Sequence, residues 1–303
     1  MAHTRRMSEQ ARQTLKANYV LNAIRNEAVM AEVLRVTAAL EEAGITAVPL
    51  KGAGLIGTLY SDPALRTLSD VDLLVPRKKC EQAAVLLGRL GYEPRDQGLL
   101  RERALLFHHH LTFHRAVRPV ALHLELHHRL VTGFLSRDPT EEALGRAAWG
   151  DYGGGKVRRL DACDELLYLC AHLAAHLGAA HLKWLVDLGL MTRAHSFDWN
   201  HVLARVLTLG LGIATHEALR RAVELCDATV PAWFLDRLRP GSLLRRVIAR
   251  LAPIDTALGE HAPGKWPCYA LAVLLQEGVV DKVLFAGSSV GYKVWLERWR
   301  RGV

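Results

Sequence analysis

The chain has 303 residues, half of them hydrophobic and 23% charged, which argues against long disordered tracts and leaves room for one large or two ordinary domains with a real core. A net charge of +8 is compatible with a polyanionic partner such as a nucleotide, but the basic residues are dispersed with no aromatic-and-basic stripe, so nucleic acid is not the expected partner. The five cysteines are scattered without a C-x-x-C pair, which speaks against a disulfide framework or a zinc knuckle, and the polar, basic opening "MAHTRRMSEQARQTLKANYV" has no apolar signal core, so a cytoplasmic location is expected.

In chain order, residues 1–44 carry Leu15, Leu21, Ile24, Val29, Val33, Leu34, Val36 and Leu40 at helical spacing with Gly44 as a stop, which predicts one or two lead-in helices. "ITAVPLKG" predicts a short strand ending at Lys51 and Gly52, and "AGLIGTLY" a helix after that turn. "RTLSDVDLLV", residues 66–75, predicts the next strand, and Pro76 opens a helix that stops at Gly91. "HHHLTFHRA" and "VALHLELHHRL" alternate apolar and polar residues on either side of "VRP", which predicts an antiparallel hairpin. From about residue 140 the expectation is helices only, with Asp161, Asp198 and Thr215 as N-caps. The glycines of "WGDYGGGKVRRL" are taken as a turn or hinge between two lobes. Three segments follow: a helical lead-in (1–44), a catalytic domain (45–150) and a helical C-terminal domain (151–303). The apolar stretch "YALAVLLQEGVVDKVLFAG" is interrupted by Glu277, Asp281 and Lys282, so no membrane span is expected.

The acids carry the chemistry. In a strand, side chains alternate between faces, so Asp70 and Asp72 share one face while Val71 and Leu73 share the other. Two carboxylates side by side need a cation or a proton between them, and a hard divalent ion such as Mg2+ takes carboxylate oxygens as ligands. Alone, a D-x-D is more often a pair of solvent-facing acids. "VALHLELHHRL" repeats the logic: Leu122, Leu124 and Leu126 face one way, and His123, Glu125 and His127 the other. Three carboxylates on two neighbouring strands could hold two Mg2+ ions for in-line displacement at phosphorus.

These motifs resemble the nucleotidyltransferases of the DNA polymerase β-like superfamily, and within it the group labelled uncharacterised nucleotidyltransferase. "PLKGAGLIGTLYSDPALRTLSDVDLLV" supplies the glycine turn, the helix and the D-x-D, and "LHLELHHRL" the third acid. The resemblance covers roughly residues 45–235, strongly in its first part. It implies an α+β fold, a small mixed β-sheet flanked by helices and followed by an all-helical lobe. It further implies Asp70, Asp72 and Glu125 as catalytic residues and ligands of Mg2+ or Mn2+. Lys51, Gly52, Arg66 and Ser69 look like nucleotide-binding positions, with His127, Lys183 and Asp187 as substrate contacts or supports. An Arg beside aspartates can equally be their salt-bridge partner, and Lys183 with Asp187 an i, i+4 surface pair. One departure stands out: the superfamily's turn carries Gly-Gly or Gly-Ser, whereas Gly52 is followed by Ala53, so a hydroxyl contact to phosphate is missing.

The histidines offer a rival. His172 and His176 lie four apart, His181 follows, and His108, His109, His110 and His114 crowd one strand, but no H-E-x-x-H appears and no set of three ligands is implied. Structural or surface histidines are therefore the default, with His127 orienting a carboxylate. The expected function is transfer of an NMP group from an NTP to a hydroxyl or amine of a small molecule, peptide or protein, with release of pyrophosphate. The alternative is an inactive relative that binds a nucleotide or acts as a partner subunit.

Overall fold

The computed structural model describes residues 7–95, 109–117, 120–130, 138–177 and 182–253, with 270, 271, 273–275 and 282. His108, His181, Cys268 and most of the apolar stretch from 269 to 287 lie outside them. No helix among the described residues is long and apolar enough to cross a membrane.

One helix, α1 (Glu9–Glu42), leads in, capped by Ser8, whose side chain accepts from the Ala11 N–H. Its C-terminal half buries Val29, Val33, Val36 and Leu40 against the sheet. In the N-terminal half Leu15, Leu21 and Ile24 are exposed, and Tyr19, Asn22 and Arg25 hydrogen-bond to the 62–69 loop. Five strands, β1 (Val48–Leu50), β2 (Val71–Leu74), β3 (Glu93–Pro94), β4 (His110–Val117) and β5 (Val120–His127), form a mixed sheet in the order β1-β2-β5-β4-β3. β1 runs antiparallel to β2, β2 parallel to β5, and β5 antiparallel to β4 and β4 to β3. Leu122, Leu124 and Leu126 point with Val71 and Leu73 into the core beneath α1 and α3 (Cys80–Arg89), as the alternation requires.

Three expectations are corrected. The helix after β1 is only α2 (Lys51–Leu55), ended by Gly57 at φ +81, so "AGLIGTLY" is mostly turn. The stretch beyond residue 140 is not helices only. After α4 (Thr140–Arg146), β6 (Ala148–Tyr152) and β7 (Gly155–Arg159) pair antiparallel, and the glycines read as a hinge make their tight turn, with Gly153 and Gly154 at φ +50 and +87. Thr215 is no cap, since it lies buried inside α8 (Gly212–Cys226), whereas Asp161 and Asp198 do cap helices.

The helical region contains α5 (Ala162–Ala175), α6 (Leu182–Ala194), α7 (Trp199–Leu209), α8, α9 (Ala232–Leu238) and α10 (Ser242–Leu251). Its core includes Leu166, Leu173, Leu185, Leu188, Val206, Leu219 and Phe234, and it takes in Leu55 and Tyr60 from the turn after β1. The sheet and the helical lobe are thus joined at the turn that carries Lys51 and Gly52. Gly54 lets this turn fold back on β1: a Cβ there would stand 2.5 Å from the Pro49 carbonyl oxygen. Backbone cannot yield as a side chain can, so Gly54→Ala should cost about 1–3 kcal/mol in urea unfolding. An unchanged midpoint would show that the turn is looser than described.

Candidate active site

The pairing of β2 with β5 brings the acids together. Asp72 is the direct partner of Glu125 across the parallel pair, and Asp70 sits one residue before β2 begins. Val71 and Leu73 anchor the strand below, so the carboxylates stand on the opposite face. Asp72 is buried and Glu125 partly exposed. Asp70 is not gathered with them into one ligand cluster; its Oδ1 accepts from the Ser69 hydroxyl at 2.7 Å.

Cations neutralise the buried acid. Lys51 Nζ donates to Asp72 Oδ1 at 2.8 Å and lies 4.0 Å from Glu125 Oε2. His127 Nε2 stands 2.9 Å from the same Asp72 oxygen and 3.3 Å from Glu125 Oε2. Burial alone would raise the Asp72 pKa, but the charges of Lys51 and His127 and their hydrogen bonds outweigh it and hold the carboxyl well below its usual range. Burial likewise pulls Lys51 and His127 down, yet the carboxylates win and both are raised. Lys51 has φ +49, a left-handed conformation that costs a non-glycine residue about 1 kcal/mol or more. Such strain persists only where the surroundings impose it, and here the turn aims the ammonium at Asp72.

Arg66 and Asp187 lie apart from this cluster, in a buried ion pair. Arg66 Nε and Nη2 donate to Asp187 Oδ1 and Oδ2 at 2.9 and 2.7 Å, Arg66 Nη1 donates to the Thr67 carbonyl, and the Tyr60 hydroxyl donates to Asp187 Oδ1 at 2.6 Å. Asp187 is fully buried, so the surface pair with Lys183 is not what forms. Asn26 of α1 supports the same loop by donating to the Pro63 and Arg66 carbonyls at 2.6 and 2.7 Å. Sequence reasoning missed Asn26, although a polar residue in register with Val29, Val33, Val36 and Leu40 was the signal available. It missed Tyr60 as well.

Beside the acids opens a cleft of about 360 Å3 including its mouth, lined by Lys51, Gly52, Arg66, Ser69 and Asp70 from the sheet side and by His172, Lys183 and Trp184 from the helical lobe. A Cβ on Gly52 would lie 2.7 Å from Leu68 Cδ2 and 3.5 Å from the Arg66 guanidinium, so glycine keeps this wall open. Ala53, where the wider pattern carries glycine or serine, is buried in the sheet core. Burial pushes His172 well below its usual range, and burial with the nearby Arg66 charge lowers Lys183.

Glu165 of α5 lies close to the same turn, its Oε1 3.7 Å from the Cβ position of Gly54. Burial raises its pKa to about 8, against the pull of Arg159 and with the push of Asp187. The unfolded value is about 4.3, so the folded state holds the extra proton between these limits, and stability falls as pH rises through the window. Glu165→Gln removes that loss. The variant should gain on the wild type by about 4 kcal/mol between pH 5 and 8.5, read from melting temperatures; parallel profiles would contradict the assignment.

The site is thus an acid pair on adjacent parallel strands of a mixed sheet, with a glycine turn at the end of the neighbouring strand and a polar cleft beside them. The family model for uncharacterised nucleotidyltransferases matches residues 1–227, and the chain belongs to that family. No curated protein and no solved structure matches it.

Proposed function

We propose that the protein transfers an NMP group from an NTP to a hydroxyl or amine acceptor, releasing pyrophosphate, with a divalent cation as cofactor. The observation that carries this reading is the direct pairing of Asp72 with Glu125, with Asp70 at the strand entrance and the Gly52 turn beside them. The donor set fits a cation: oxygens of Asp72 and Glu125 and a nitrogen of His127 lie within 4.8 Å of one another, and the acids already share the Lys51 ammonium. Asp70, Asp72 and Glu125 would hold Mg2+ or Mn2+, which when bound offsets the charge of the triphosphate and of the leaving pyrophosphate.

The protein's own groups do the rest. The nucleotide enters the cleft along Gly52, with Ser69 and Lys183 at its walls. With Asp72 serving as a ligand, Lys51, which donates to it here and lines the cleft, would be free to meet the phosphates. Arg66, held by Asp187, fixes the loop that carries Ser69 and Asp70. His127 orients Asp72 and Glu125. Glu125, the more exposed acid, accepts the proton from the acceptor as its oxygen or nitrogen bonds to the α-phosphorus and the bond to the pyrophosphate oxygen breaks. Positioning and charge neutralisation supply the acceleration.

The test uses each NTP labelled at the α- or γ-phosphate, with Mg2+ and a panel of polyols and amines. The expected result is α-label on the acceptor and γ-label in pyrophosphate. Label transferred from the γ-position would replace this reading by a kinase. Nucleotide binding without transfer to any acceptor would favour the inactive relative, for which the Gly52-Ala53 turn speaks.

A further inference from the structure

Of the imidazoles clustered at the edge of the acid pair, His109 and His110 have no role in the reaction proposed above. His109 sits at a bend just before β4, His110 opens β4, and His127 closes β5 directly opposite His110. Consecutive residues inside a strand point to opposite faces, but the bend frees His109 from that rule, and both rings meet His127. The ring centroids of His109 and His110 are 4.4 Å apart, and those of His127 lie 5.0 and 5.2 Å from them.

The donor atoms are spaced as ligands of one ion would be. A nitrogen from each of the three rings falls within 4.8 Å of the others. His109 Nε2 lies 3.1 Å from His110 Nδ1, His110 Nδ1 lies 3.7 Å from Glu125 Oε2, and Glu125 Oε2 lies 3.3 Å from His127 Nε2. Zinc–nitrogen bonds of about 2.0–2.1 Å in a tetrahedron put neighbouring donors about 3.3 Å apart. Three imidazoles suit zinc, cobalt, nickel or ferrous ions, whereas Mg2+ takes oxygen ligands.

We propose that His109, His110 and His127 form a nitrogen-rich site for one transition-metal ion of the zinc class, at the edge of the carboxylates that face the nucleotide cleft. This revises the expectation that the histidines are structural or surface groups. The site stands without the nucleotidyl-transfer reading, because none of its donors requires a nucleotide to be in place. The competing account of the 3.1 Å contact is a neutral imidazole pair sharing a single proton, with no affinity for metal.

The test is titration of metal-free full-length protein with Co2+, without nucleotide, followed by its visible absorption. The expected result is saturation at about one equivalent, with bands of a low-coordinate nitrogen and oxygen site that Zn2+ abolishes and a hundredfold excess of Mg2+ leaves in place. The double variant His109→Gln/His110→Gln should lose on the order of 100-fold in Co2+ affinity, while His114→Gln, on the exposed Glu93 contact, should keep it. Absence of saturable bands in the wild type would overturn the proposal whatever the variants do. So would unchanged affinity in the double variant.

Discussion

Asp187→Ala is expected to destabilise the protein by about 3–5 kcal/mol, the largest stability loss among the single substitutions considered. Arg66 is only 4% exposed, and its Nε and Nη2 both donate to this one carboxylate, so the alanine leaves a buried guanidinium whose charge has lost its partner. The Tyr60 hydroxyl loses its acceptor in the same step. Tyr60→Phe removes one neutral donor and should cost about 1 kcal/mol, which separates the hydrogen bond from the ion pair. Arg66→Leu combined with Asp187→Leu should recover much of the loss, because no buried charge remains. Chemical unfolding of the three variants measures this directly. A loss below about 1 kcal/mol for Asp187→Ala would show that the pair is solvated in solution.

The second large effect falls on turnover. Asp72→Asn keeps the shape of the side chain and removes the charge that Lys51 and His127 both address. Under the proposed mechanism the cation loses its buried ligand, and transfer should fall about a thousandfold or more, close to 4 kcal/mol in the barrier. Folding should survive, since an amide oxygen still accepts one of the two donors. Pyrophosphate release by folded Asp72→Asn within tenfold of the wild type would remove Asp72 from the chemistry.

Much of the acid pair was legible before any coordinates. Alternation alone put Asp72 opposite Leu73 and Glu125 opposite Leu124, because a strand buried on one face must send its polar residues to the other. What alternation cannot give is which strands are neighbours. The Asp72 to Glu125 register spans a crossover, and the Arg66 to Asp187 pair spans 121 residues, so both are products of tertiary structure. The β6–β7 hairpin was hidden for a local reason. Trp149, Tyr152 and Val157 do not alternate cleanly across "WGDYGGGKV", and three glycines look like a hinge as readily as a turn. Apolar spacing in α1 foretold the helix, although periodicity does not record how far a helix's neighbour extends. The histidines were visible as a group, yet only the pairing of His110 with His127 says which of them meet.

The central claim, a metal-dependent nucleotide site at Asp70, Asp72 and Glu125, is tested most directly by thermal shifts with ATP, GTP, CTP and UTP, each with and without Mg2+. The wild type and Asp70→Asn/Asp72→Asn are compared side by side. A nucleotide at a hundredfold excess over its dissociation constant adds about 2.7 kcal/mol, or about 5 °C in a chain of this size. The account predicts such a shift with at least one NTP, dependent on Mg2+ and lost in the double variant. A shift of equal size in the variant, or none with any nucleotide in the wild type, would contradict it.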